Sequence, residues 1–241
     1  MKQIELYDVG RCTHKAVPGM YEFIVANADS FVPDTALAKE IQNHAANREK
    51  PGYSIPQKHF SQMCDIWVRA YQSGDFPIDV AALTFPDTID RFRYVKSQGR
   101  EIGILTSGSE EFTKILYGMK VGNNTTLAQF VDHYFLGEEI GDKDKPETFA
   151  NLWDATQGRI AAIFDDKVSV CQAAVEGLER RRDNQARDAK DMVSIYLLDR
   201  KGKYANATGD LADKINDLQE KRVRIMPDFN AVTDFELGGD E

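Results

Sequence analysis

The strongest constraint on how this chain folds is a recurring pattern. Five short apolar runs, Ile4–Tyr7, Ile102–Leu105, Val131–Phe135, Ile160–Phe164 and Val193–Leu198, recur along it, and Val223–Met226 reads as a sixth. Continuous apolar runs of this length match strands buried on both faces. Helical periodicity fills most of the gaps. Thr88–Gln98 places Ile89, Phe92 and Val95 on one face and stops at Gly99. Glu110–Leu116 carries Phe112, Ile115 and Leu116, Val168–Glu176 ends at Gly177, and Asp210–Lys221 repeats Leu211, Ile215 and Leu218. Strands alternating with helices predict an α/β fold: a parallel sheet with helices on both faces.

The interval between the first two runs departs from this pattern. Residues 15–77 hold no strand pattern. Gln57–Gln72 instead places Phe60, Met63, Cys64, Trp67, Val68 and Tyr71 along one helical stripe, which is read as packing. Two further helical segments, Met20–Ala28 and Thr35–Ala46, precede it, and "PGYSIP" at 51–56 interrupts. The expected organisation is a core from 1–14 and 78–232, a helical insert over 15–77, and a flexible tail over 233–241.

Composition narrows the function classes. The 241 residues are 42% hydrophobic and 29% charged, ordinary for a soluble globular protein. The formal net charge of −9 argues against nucleic acid or an anionic membrane as the main partner. The basic cluster Arg180–Arg182 sits among acids and reads as a solvated loop. The first residues, MKQIELYD, lack the apolar stretch of a signal peptide, and no apolar run reaches the ~20 residues of a membrane span. Cys12, Cys64 and Cys171 are scattered and odd in number, so no disulfide framework is expected, and a cytoplasmic location is.

In open α/β sheets, ligands bind beyond the carboxyl ends of the strands. The first run ends in Asp8, the second in Thr106-Ser107-Gly108-Ser109, and the fourth in Asp165-Asp166. One such Asp is as readily a helix cap; three polar endings in one sheet point to a site. Ser107 and Glu110 have capping-box spacing, which makes Ser107 the expected helix cap. The following helix would then offer free N–H groups to a phosphate, with Gly108 allowing close approach and Thr106 adding a hydroxyl. "GDKDKPETF" (141–149) supplies Lys143 and Lys145, either of which can neutralise phosphate oxygens or keep a carboxylate ionised.

This order of parts resembles the haloacid dehalogenase-like hydrolase superfamily, and within it is similar to the enolase-phosphatase group. The residues that carry the resemblance are "ILTSGSEEFTKILYG" (104–118), "FLGEEIGDKDKPETF" (135–149) and "IFDDKVSVCQAAVEG" (163–177). It covers most of the chain outside the helical insert. The resemblance implies a Rossmann-like core with a C1-type helical cap, and it assigns roles. Asp8 would be the nucleophile that forms an aspartyl-phosphate. Thr106, with the amides of Ser107 and Gly108, would bind the phosphoryl group. Lys143 would pair with nucleophile and phosphate, since the superfamily's lysine stands six residues before an aromatic, here Phe149; Lys145 is the alternative. Mg²⁺ would bind Asp8, the Gly10 carbonyl, Asp165 and Asp166.

Two positions depart from the superfamily. Its first motif carries a second acid that protonates the leaving group, whereas Asp8-Val9-Gly10-Arg11-Cys12-Thr13 has Gly10 there. Val170 stands where the last motif often has another acid. The expectation is therefore a Mg²⁺-dependent phosphohydrolase of a small phosphorylated metabolite, slow and favouring acidic leaving groups. One alternative is a catalytically impaired relative that binds a phosphoryl ligand or a protein partner. Another is a relative that breaks a different bond, as dehalogenases and phosphonate hydrolases do; the latter need a lysine from the insert, with Lys39, Lys50 and Lys58 available. Cys12 and His14 lie near the site without a nucleophile–base spacing, and His44, His59 and His133 read as structural. The sequence assigns neither the substrate nor the oligomeric state.

Overall fold

The computed structural model describes residues 2–50, 53–121, 125–181 and 189–232; the expected flexible tail over 233–241 lies outside them. The first half of the chain runs β1 (Ile4–Tyr7), α1 (Met20–Phe31), α2 (Thr35–Asn47), α3 (Gln57–Ser73), α4 (Pro86–Ser97), β2 (Glu101–Thr106) and α5 (Glu110–Gly118). Two short strands, β3 (Lys120–Val121) and β4 (Thr125–Thr126), pair antiparallel. The second half follows as β5 (His133–Leu136), α6 (Gly137–Ile140), α7 (Pro146–Ala155), β6 (Ile160–Asp165), α8 (Val168–Glu179), α9 (Ala189–Met192), β7 (Ser194–Leu198), α10 (Asp210–Glu220) and β8 (Arg224–Met226). Among the described residues, no helix is long and apolar enough to cross a membrane.

The six main strands form one parallel sheet in the order β5-β2-β1-β6-β7-β8. From β1 the chain fills one side, through β2 and β5, then crosses to fill the other, so the order reverses around β1. Each strand's period of two sorts its side chains onto two faces. Ile4, Leu6, Ile163, Ile195 and Leu197 pack with α7, α8 and α10 on one face. Tyr7, Ile104, Phe164, Tyr196 and Leu198 pack with α3, α4 and α5 on the other. On that second face the rings of Tyr7, Phe164 and Tyr196 stack across three strands, with centroids 4.6 Å apart at each step. Such cross-strand aromatic pairs add to the stability of their burial and pin the register.

The same face buries a charge that the sequence reading passed over. Glu5 is fully buried, where an unpaired carboxylate would be prohibitively costly. Arg91 of α4 reaches it at 2.7 Å and Arg100 at 3.0 Å, and the Tyr7 hydroxyl donates to it as well. This network ties β1 to α4.

Helices α1, α2 and α3 pack on one another. The Asp34 side chain caps α2 by accepting from the Ala36 and Leu37 amides at 2.9 and 3.1 Å. The stripe on α3 is buried as packing: Met63, Cys64 and Trp67 have no exposure, and the Trp67 ring meets Phe112 of α5 edge-on at 5.2 Å. That contact docks the three helices over the carboxyl end of β2.

One expected helix end is corrected. Gly177 does not stop α8, which runs on to Glu179. A Cβ at Gly177 would sit 2.2 Å from the Pro146 carbonyl oxygen, so this glycine lets α7 and α8 approach closely.

Candidate active site

The strand ends converge as the alternating pattern requires. β1 delivers Asp8, whose amide donates to the Phe164 carbonyl at 2.9 Å, and β6 delivers Asp165 and Asp166 beside it. One oxygen from each of the three carboxylates falls within a single sphere of contact, all within 4.8 Å of one another. Lys143, in the loop before α7, is buried between two of them: its Nζ donates to Asp8 Oδ1 and, at 2.9 Å, to Asp165 Oδ2. Lys145 is exposed at the start of α7 and takes no part. Asp165 also accepts from the Lys167 amide at 3.0 Å and lies beneath the cleft rather than on its wall.

Three carboxylates and one ammonium leave this centre short of positive charge. Burial pushes the Asp8 carboxyl up to about 6; Asp165 adds to the rise and Lys143 opposes it. Burial, with Asp165 and Asp8 close by, pushes Asp166 up to about 7, against the pull of Lys167 and Arg11. Burial disfavours the Lys143 charge, but the Asp165 and Asp8 carboxylates outweigh it and hold the ammonium above its ordinary range.

The loop after β2 differs from the capping expectation. The Gly108 amide donates to Thr106 Oγ1 at 3.0 Å, closing a tight turn directly after the strand. The helix therefore begins two residues later than the capping-box spacing implied, and Ser109, not Ser107, caps α5 by accepting from the Phe112 amide. Thr106 and Ser107 line the cleft; Gly108 lies behind them, where a Cβ would press on Phe112 at 3.0 Å.

Above these groups lies a cleft of about 250 Å³. Asp8, Gly10, Thr106, Ser107, Lys143 and Asp166 form its floor. Val17, Met20 and Tyr21 from the start of α1, Phe60 from α3, and Phe112 and Leu116 from α5 form an apolar wall, and Arg11, Lys15 and Lys167 add cations. Val17, Met20, Tyr21 and Phe60 carry no motif, and the sequence reading missed them as cleft residues; it read Phe112 and Leu116 only as the apolar face of a helix. Lys39, Lys50 and Lys58, the lysines considered for a covalent role, do not line the cleft.

Cys12 and His14 prove structural. Burial pushes the Cys12 thiol up, and its Sγ lies 3.6 Å from the Phe164 carbonyl oxygen. His14 Nε2 lies 3.3 Å from the Leu116 carbonyl oxygen, which can only accept, so Nε2 carries the proton. Its Nδ1 then accepts from Thr13 Oγ1 at 3.0 Å, and Thr13 accepts from the Tyr117 hydroxyl at 2.7 Å. This chain of hydrogen bonds fastens the loop after Asp8 to the end of α5. Burial lowers the His14 pKa to about 4, so the ring is neutral.

A parallel sheet that reverses around β1, with an acid, a hydroxyl, a lysine and an acid pair gathered at its carboxyl edge, is the arrangement that the resemblance to the haloacid dehalogenase-like hydrolases implies. No family model matches it. The chain is 32% identical over 91 residues to the enolase-phosphatase E1 of Naegleria gruberi, covering 38% of this chain and 34% of that protein. It is 23% identical over 175 residues to the enolase-phosphatase E1 of Drosophila ananassae, covering 71% of this chain and 57% of that one. The matched segments thus span a third to somewhat over half of these relatives' length. The crystal structure of a HAD phosphatase from Thermococcus onnurineus superposes over 100% of this chain and 99% of its own, with a TM-score of 0.53 at 16% identity.

Proposed function

We propose that the chain is a magnesium-dependent phosphohydrolase that acts on a small phosphorylated metabolite through an aspartyl-phosphate, with residues 15–77 as the cap over its site. The observation that carries this reading is the meeting of Asp8, Thr106, Lys143 and Asp166 on the floor of one cleft. The residues present fit the metal. Asp8, Asp165 and Asp166 offer hard oxygen donors within 4.8 Å of one another, with Lys143 hydrogen-bonded to two of them and Arg11 3.9 Å from the third. Asp8, Asp166 and the Gly10 carbonyl would hold Mg²⁺, with Asp165 behind. When bound, the ion supplies positive charge that screens Asp8 from the phosphate.

Asp8 attacks phosphorus, the bond to the leaving oxygen breaks, and its electron pair departs with that oxygen. Thr106 and Lys143 hold the phosphoryl oxygens during transfer. Water then attacks the aspartyl-phosphate, releasing phosphate and restoring the Asp8 carboxylate. No side chain at Gly10 can protonate the leaving oxygen, and such help is typically worth ~10²–10⁴-fold. The site therefore favours acyl and aryl phosphates over alkyl phosphates. The apolar wall from Val17 to Leu116 suits a small body with little polarity beyond the phosphate.

The test is steady-state turnover of aryl and alkyl phosphates with Mg²⁺, for the wild type and Asp8→Asn. Aryl turnover that disappears in Asp8→Asn supports the reading; no turnover on any aryl phosphate overturns it. One observation favours a second reading, a phosphoryl-binding protein without turnover: among the described residues, the only carboxylates lining the cleft are Asp8 and Asp166. Mg²⁺-dependent phosphate binding with no aryl turnover would support that alternative.

A further inference from the structure

Outside the residues that line the cleft, α2 and α3 bring a second set of potential metal ligands together. Glu40 and His44 lie one turn apart on α2, and His59 lies in the first turn of α3. His59 Nε2 is 3.2 Å from Glu40 Oε1, and His44 Nε2 is 4.0 Å from the same oxygen. The two imidazole rings stack with centroids 4.3 Å apart and planes 29° apart. One ligand atom from each of the three residues lies within 4.8 Å of the others. A tetrahedral ion with bonds of 2.0–2.1 Å needs donors about 3.3 Å apart, which small side-chain rotations supply here.

Two further features fit a metal better than a simple ion pair. The Tyr53 hydroxyl sits on His44 Nδ1, leaving Nε2 to face the cluster. Fixing the outer nitrogen in this way is how a ligating histidine is held in the right tautomer. His59 Nδ1 is buried without a partner, and so is Gln62 Oε1, a helical neighbour at i+3. A ligated His59 would carry its proton on Nδ1, and Gln62 Oε1 is an acceptor able to receive it.

We propose that Glu40, His44 and His59 form a divalent transition-metal site, with Zn²⁺ as the fitting ion, that staples α2 to α3. Two imidazoles and one carboxylate are a zinc-type donor set, unlike the all-oxygen set at the strand ends. Glu40 is 54% exposed, which leaves the ion an entry path and a water its fourth position. The staple ends one residue from Phe60 on the cleft wall. This inference stands apart from the proposed phosphohydrolase activity.

The experiment is Zn²⁺ titration of the tag-free full chain by calorimetry, in excess Mg²⁺ to occupy the strand-end carboxylates. Co²⁺ absorption serves as a second readout of tetrahedral nitrogen and oxygen ligation. The expected result is one equivalent of Zn²⁺, with affinity reduced at least tenfold in Glu40→Gln and in His59→Gln and unchanged in Asp166→Asn. Tyr53→Phe should weaken binding roughly tenfold or more. Because Glu40 is half exposed, Glu40→Gln keeps the fold and the test stays decisive. No saturable binding, binding that survives both Glu40→Gln and His59→Gln, or binding lost in Asp166→Asn would overturn the proposal.

Discussion

At the strand ends, Asp8, Lys143 and the Asp165–Asp166 pair come from three distant stretches of chain, and all but Asp166 are nearly sealed from water. On α2 and α3, Glu40, His44 and His59 come from neighbouring helices, and Glu40 is half in solvent. The two clusters hold comparable numbers of ionisable groups but differ in what compensates them. In the first, each charge relies on the others, so burial shifts Asp8 and Asp166 by units of pKa. In the second, water remains an alternative partner. Removing Lys143, the buried cation of the first, should therefore cost far more stability than removing one member of the second.

The largest expected effect comes from Asp8→Asn. Aryl phosphate turnover should fall on the order of 10⁴-fold. Melting temperature should hold or rise, because one of three crowded carboxylates loses its charge. Turnover close to wild type would show that the centre is not where the chemistry happens. Next is Lys143→Met, which leaves Asp8 and Asp165 facing each other without their cation. Breaking a buried pair this way costs about 3–5 kcal/mol, measured by denaturant unfolding. A loss below about 1 kcal/mol, the scale of a surface pair, would mean that water reaches the centre after all.

His14 tests the fastening of the loop after Asp8 to the end of α5. Its pKa is about 4 in the folded chain against an ordinary 6.5. The unfolded chain then binds the extra proton between these values, so stability is fully present above pH 6.5 and is lost as pH falls toward 4. The expected slope is about 1.4 kcal/mol per pH unit, reaching roughly 3 kcal/mol in total. Unfolding measured across that window in wild type and His14→Gln should show the slope in the first and a flatter line in the second; equal slopes would remove His14 from the account.

Gly10→Asp asks whether the missing acid limits the rate. The position has room, since the nearest heavy atom to a Cβ there is Asp8 Oδ2 at 3.8 Å, and Gly10 does not use a left-handed backbone. Alkyl phosphate hydrolysis should rise by about 10²-fold, with a smaller gain on aryl phosphates. An equal or absent gain on both would detach Gly10 from the leaving group. The smallest effect belongs to the second cluster: metal-free Glu40→Gln should change stability by less than about 1 kcal/mol in thermal or denaturant unfolding. A cost of several kcal/mol would erase the contrast between the two regions.

The strands were readable because a buried strand in a parallel sheet is a local signal: a few apolar residues between breakers. Once the strands were placed, the polar residues at their ends were placed too. The resemblance, through its lysine-to-aromatic spacing to Phe149, favoured Lys143 over Lys145, and the fold buries Lys143 against Asp8 and Asp165 while Lys145 faces solvent. Local spacing misled where a tertiary or turn contact took priority. The Thr106–Gly108 turn moved the α5 cap from Ser107 to Ser109, and the close approach of Pro146 explains Gly177 better than a helix stop does. Glu5 was invisible because its compensation comes from Arg91 and Arg100, far along the chain.

The sequence by itself determined the alternation of strands and helices, and with it the acids, hydroxyl and lysine at the sheet's carboxyl edge, because strand period and length are properties of contiguous residues. Only the tertiary structure decided which side chains face those groups. Arg11, Lys15, Tyr21, Phe60 and Leu116 reach the cleft because α1, α3 and α5 dock through contacts such as Trp67 on Phe112. It likewise decided that His44 and His59 share a carboxylate. Such meetings depend on how helices pack, and helix packing is fixed by surfaces far apart in the chain, which no local pattern encodes.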